Sequence, residues 1–119
     1  MATKDEHLAK AGHNEKFVAA IVDPFWDWAI TGIFYAALHY LMAFLATKGD
    51  HPGTHQVRNS HIHRDATLKP IYVDYRELQN ESEDARYMER NPATGFTEAD
   101  VKRLTVNLRN IKNLVTPLL

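Results

Sequence analysis

The chain has no cysteine, which excludes disulfides, thiolate zinc sites and a cysteine nucleophile together. Net charge is nearly absent as well. Fourteen Lys and Arg stand against 15 Asp and Glu, so no overall positive field marks a nucleic-acid binder, and any RNA contact has to be a local patch. No run alternates apolar and polar residues for long enough to make a strand, and there is neither an internal repeat nor a low-complexity tract. The start, Met1 to Glu6, is polar and acidic, and reads as neither a secretory signal nor an Arg-rich transit peptide. Charge is missing most completely from Trp28 to Ala46, WAITGIFYAALHYLMAFLA, nineteen residues without Asp, Glu, Lys or Arg.

That stretch reads as one long helix, preceded by Asp27 and closed by Lys48 and Gly49. A helix apolar all round must be covered, by protein or by lipid. Its length approaches the ~20 residues that cross a bilayer. However, Thr31, Gly32, Tyr35, His39 and Tyr40 lower its transfer energy, the mean hydropathy of the chain is −0.41, and three other segments each offer one apolar face. The expectation is therefore a soluble bundle with a buried centre and no membrane span. At 119 residues the chain makes one domain around one core.

A first helix is predicted over residues 5–22, with Leu8, Ala11, Val18 and Ile21 on roughly one side. Asp23-Pro24 breaks it, because proline disfavours helix in the residue before it and can open the next helix. The core helix then runs from about Phe25 to Thr47. Gly49 to Gly53 is a loop by composition, and Thr54 is placed to cap a polar helix over Thr54–Asp65 in which only Val57 and Ile62 are apolar. Thr67 is the expected cap of a fourth helix reaching about Met88, with Leu68, Ile71, Tyr72, Tyr75, Leu78 and Ala85 as its stripe and Pro70 tolerated in the first turn. After a loop over Arg90–Gly95, Thr97 and Asp100 form an acidic capping box, with Phe96 as the staple to Val101. Val101, Leu104, Leu108, Ile111, Val115 and Leu118 follow at helical spacing. Lys102, Arg103, Arg109 and Lys112, with Asn107, Asn110 and Asn113, occupy the other face, a solvated surface by default that could also track RNA with nearby Arg90. The fold class is all-α, four or five helices with short loops in an antiparallel bundle.

Histidine carries the candidate chemistry. Seven occur in the chain, and His51, His55, His61 and His63 crowd beside Arg58 and Arg64. A metal site is disfavoured, since no carboxylate falls within the cluster before Asp65 and residues two apart on a helix point in different directions. A solvated polar helix is the default for any one histidine. Metal-free acid/base chemistry on a phosphodiester is the third reading, because it needs a titratable histidine, a fixed cation and an orienting polar group. Arg58, Asn59 and His63 supply these within six residues. Asn59 and His63 share a helix face, whereas Arg58 lies about 140° round from His63, so convergence requires the reach of arginine or a second copy across a dimer. His61, on the face of Arg58, is the substitute. Tyr35, His39 and Tyr40 read as buried aromatics and a satisfied histidine, and Glu81, Glu83 and Asp84 as a solvated acidic turn.

Several segments resemble the HEPN superfamily. FYAALHYLMAFLATKG resembles its long second helix, and Thr54-His55 its usual start after the loop. Tyr75 to Leu78, Glu83 to Tyr87 and the helix from Thr97 resemble the ending of its small single-domain members. Arg58 to His63 fits the Rx4H form of HEPN ribonucleases, with Asn59 in the favoured second position. The resemblance implies a cytoplasmic homodimer that cleaves RNA without metal or cofactor by attack of the 2′-hydroxyl. Arg58 would hold the phosphate, His63 act as acid/base and Asn59 position them, with His55, His61 and Arg64 contacting RNA and a nucleotidyltransferase-like antitoxin as a possible partner. The alternative it leaves open is a non-catalytic module binding nucleotide or RNA, or a subunit of a larger assembly.

Overall fold

A computed structural model describes residues 1–87 and 95–119. Among the described residues, five α-helices run in the order α1 (Lys4–Ala20), α2 (Trp26–Thr47), α3 (His55–Arg64), α4 (Tyr72–Tyr87) and α5 (Glu98–Val115), with 3-10 turns at Lys69–Ile71 and Thr116–Leu118. No strand occurs among the described residues.

The centre is α2, whose buried residues run round most of its circumference from Ala29 to Leu45. By length and composition this helix could cross a membrane, yet 78% of its most apolar window is buried inside the fold. Helices α1, α4 and α5 pack against it. Gly49, at φ 72°, ends it. Its N–H donates to the Ala46 carbonyl at 3.0 Å and the Asp50 N–H to the Leu45 carbonyl at 3.0 Å, the pairing that satisfies the orphan carbonyls of a last turn.

Capping explains most of the other boundaries. Thr3 and Glu6 form a reciprocal capping box at the start of α1, and Thr97 and Asp100 do so for α5. The Thr54 hydroxyl accepts from the Val57 N–H at 3.1 Å to start α3. The expected cap at Thr67 is a correction: Asp65 accepts from the Thr67 and Leu68 N–H groups at 2.8 and 3.2 Å, and the chain makes a 3-10 turn through Pro70 before α4. A carboxylate two residues earlier is the stronger acceptor, and proline has no N–H to put into a helix. Leu118 also departs from expectation. Pro117 stops α5, so Leu118 lies in the final 3-10 turn and is 50% exposed. Met88 and the loop expected at Arg90–Gly95, apart from Gly95, lie outside the described residues.

The basic side of α5 is largely neutralised. Arg103 pairs with Glu77, Glu81 and Asp100, Lys102 with Glu98, and Lys112 with Glu15, while Asn107 and Asn110 donate to Glu77 and Asp74. Arg109 alone of its four cations has no carboxylate partner among the described residues. Glu81 therefore belongs to the α4–α5 seam rather than to a freely solvated turn.

At Gly32 helix α1 approaches α2 so closely that a Cβ would lie 2.8 Å from Val18 Cγ2 and 2.9 Å from Phe17 Cδ2. Alanine gains roughly 1 kcal/mol of helix propensity over glycine, but overpacking costs typically 1–3 kcal/mol. Gly32→Ala is expected to lower stability by about 1 kcal/mol in urea unfolding; an increase would show that α1 shifts freely on α2.

Candidate anion site at Arg58

Helix α3 is polar and short, and only two of its residues are buried, Arg58 and Ile62. Four residues apart, they lie on one face. That face turns inward. Ile62 joins the core, and the Arg58 side chain passes over Met42, its Nε donating to Met42 Sδ at 3.3 Å. From there its Nη1 donates to His55 Nδ1 at 2.9 Å. Arg58 is 9% exposed.

Elements from across the chain surround this guanidinium. His7 on α1 and His39 on α2 meet with their Nδ1 atoms 3.0 Å apart, so one ring donates and the other accepts, and the pair is not doubly protonated. Burial, then the neighbouring His7, Lys10 and Arg58 charges, hold His39 down at about 4. Burial, His51 and Arg58 hold His7 below the ordinary imidazole range. His55 is likewise held low by burial and by the charges of Arg58 and Arg86. Tyr75 on α4 is fully buried, and burial raises its pKa although the nearby Arg58 charge opposes this. Its hydroxyl has no partner at close hydrogen-bonding geometry, although its oxygen lies near enough to the Arg58 guanidinium for that cation to act on it, and its own O–H is left unused.

A second cation stands beside the first. Arg86 on α4 donates to the Ser82 hydroxyl at 3.0 Å and lies 5.8, 5.6 and 5.4 Å from the ring centres of Phe34, Tyr35 and Tyr87. His55 approaches the same Phe34 ring at 6.0 Å. Both His55 and Arg86 therefore approach the Phe34 ring, and the Arg86 charge is felt at His55.

The residues singled out from the sequence fall into separate places. Asn59 is turned toward α4, its amide 2.9 Å from Gln79, which also accepts from Arg76; the opposite amide orientation gives its nitrogen to the His55 carbonyl at 3.1 Å. His61 donates to Asp50 at 2.7 Å. His63 is exposed, its ring edge on Tyr72 at 4.8 Å. Arg64 is exposed beside His61 and Asp65. Within one protomer, Arg58 is therefore brought to His55 and not to Asn59 or His63, as the 140° helical offset implies. A groove of about 480 Å³ between α1, α2 and α5 contains none of the Arg58 cluster.

Sequence reasoning missed His7, Tyr75 and Arg86. No local spacing links them to Arg58; only the packing of α1 and α4 on α2 does. It did place His39 as a satisfied histidine without finding its partner. The three-residue step from His55 to Arg58, one helix face, was the legible signal, and the Rx4H match drew attention past it.

An all-α bundle with a long buried second helix and a polar third helix defines the class of protein. The chain belongs to the HEPN domain family, whose model matches residues 14–117. No curated protein and no solved structure matches it significantly.

The native state keeps His7 and His39 neutral where the unfolded chain takes up protons below about pH 6.5. The unfolded state then binds more protons, so stability falls as pH drops from about 6.5 toward 4. His39→Gln is expected to flatten this fall in urea midpoints measured between pH 7 and 4.5. An unchanged slope would place the acid sensitivity elsewhere.

Proposed function

We propose that this HEPN domain binds the phosphate of a nucleotide or of RNA at the Arg58 cluster and does not cleave it. The observation that carries this reading is a buried cation without an anion. Buried charges are ordinarily paired, because an isolated one forfeits its hydration, yet no carboxylate pairs with Arg58 among the described residues. Its neighbours are a thioether, three histidines held toward neutrality and a buried phenol with an unused donor. A phosphate oxygen supplies the missing charge and the missing acceptor together.

The same geometry speaks against acid/base work at this place. His55 Nδ1 accepts from Arg58, so the neutral ring presents Nε2–H, a donor to an anion rather than a base. The endoribonuclease reading rests on the exposed His63 meeting another protomer's arginine, which is where dimerisation and an antitoxin partner would enter. The burial of Arg58 weighs against it.

Binding of a labelled single-stranded RNA and a labelled ribonucleotide in EDTA, with gel analysis of the RNA, tests both readings. Arg58→Met keeps the volume and removes the charge. It is expected to weaken binding at least roughly tenfold, as for loss of a charge-assisted pair worth about 1.5–3 kcal/mol, while leaving the fold as stable or more so. His63→Ala is expected to bind within about twofold of the parent. Unchanged binding by Arg58→Met refutes the site, and cleavage abolished by His63→Ala establishes the nuclease instead.

A further inference from the structure

Helix α1 is held to the bundle unequally along its length. Its second half is fastened at two places: Phe17 and Val18 lie close against α2 at Gly32, and Glu15 accepts from Lys112 of α5 at 3.1 Å. The first half, residues 4–11, has two buried residues, His7 and Ala11, with Leu8 packed beside them. One alanine and a partly buried leucine cover little apolar surface, so the polar link to α2, His7 Nδ1 to His39 Nδ1 at 3.0 Å, carries a large share of the docking. Gly12 separates the halves. It lies inside the helix, where glycine weakens the helical state, and a Cβ added there would meet nothing within 4 Å, so no close approach demands it.

The link holds only in certain charge states. With both rings neutral, or with one added proton, one Nδ1–H donates and the other nitrogen accepts. With both rings protonated, two N–H groups and two positive charges face each other and the bond is lost. The surroundings sharpen this. Lys10 on α1 and Arg58 on α3 add positive charge, and so does His51 of the α2–α3 loop when protonated, while Glu6, exposed and engaged with Thr3, acts on His7 the other way. From Trp28 to Ala46, α2 has no carboxylate to offer.

We propose that residues 4–11 form an acid-released flap: when His7 and His39 both carry a proton, this half of α1 leaves α2 with Gly12 as hinge, taking His7 out of the Arg58 cluster, while residues 13–20 and the rest of the bundle stay folded. A detached segment this short is not helical by itself in water, so it unravels. Closed, His39 is held at about 4 and His7 below its ordinary value; apart, both rings regain water and return toward about 6.5. The closed state is therefore fully favoured above about pH 6.5 and loses ground as pH falls toward 4, by up to roughly tenfold per pH unit for each extra proton the open state binds. The flap is independent of what Arg58 binds. It also differs from a uniform loss of stability, because one segment moves.

Backbone and histidine NMR from pH 7 to 4.5 reads structure and protonation separately. In the parent, the Cα shifts of residues 4–11 are expected to pass from helical to coil values as the His7 and His39 Cε1–H signals report protonation, with residues 13–20, α2, α4 and α5 unchanged. His7→Gln and His39→Gln each leave one ring against an amide that both donates and accepts, so a single proton is tolerated, and both variants are expected to keep residues 4–11 helical at pH 4.5. Gly12→Ala is expected to lower the open population roughly fivefold, the effect of one glycine-to-alanine change in helix propensity; an unchanged population overturns the hinge. Both rings protonated with residues 4–11 still helical, or release in the glutamine variants as in the parent, overturns the flap. Coil that extends through residue 20, or melting of α1 together with α2, overturns it as well, since the second half is then not held on its own.

Discussion

Helix α2 is buried over most of its surface, and its burial governs the rest of the fold. Its backbone is satisfied internally, so the demand it makes on its surroundings is for apolar cover on several sides at once. A chain of this length supplies that cover only by folding α1, α4 and α5 back along it, each with one apolar stripe inward. Short capped loops follow from the same demand, since the cover must return to the same axis at each pass. Gly32 gives α1 its close approach, and Ala29, Ala36, Ala37 and Ala43, all at 0% exposure, keep the central helix thin enough for its neighbours.

Against this apolar axis the Arg58 cluster is an exception with a structure of its own. Four helices contribute to it: His7 from α1, Met42 and His39 from α2, His55 and Arg58 from α3, Tyr75 from α4. The arginine and the histidines act on one another in a single direction. A fixed positive charge in a partly dehydrated space disfavours further protonation nearby, so the histidines stay neutral and present hydrogen-bonding nitrogens instead of charge. Among the described residues the cluster then holds one cation, several donors and no anion.

Helix number, the caps at Thr54 and Thr97 and the buried character of α2 were legible in the sequence because each is written in adjacent residues: an apolar run, an amphipathic period, a hydroxyl before a first turn. The cap before α4 was misplaced by two residues because Asp65 and Thr67 are both acceptable there and only the path of the chain through Pro70 decides between them. The site was legible in part. The polarity of α3 marked it as more than a packing element, and Arg58 was the right residue to single out, but its partner was read along the sequence instead of around the helix. His63 lies five residues on and faces Tyr72; His55 lies three residues back and faces the guanidinium. His7 comes from α1 and Arg86 from the end of α4, and each acts on the Arg58–His55 pair only because those helices fold back along α2.

A purely structural role for Arg58 is hard to sustain on energetic grounds. A methionine or leucine at the same position would pack on Met42 and Ile62 without forfeiting the hydration of a charge, and such replacements of buried ions are commonly neutral or stabilising. A structural arginine in this position would be expected to recruit a carboxylate, as Arg103 does three times over on α5. Glu83 is near enough to raise the His55 pKa but forms no ion pair with Arg58. Had an acid closed that contact, the cluster would be neutral, rigid and sealed against other anions. Leaving it open keeps the charge available, and it is this charge, without a carboxylate partner among the described residues, on which the binding proposal rests.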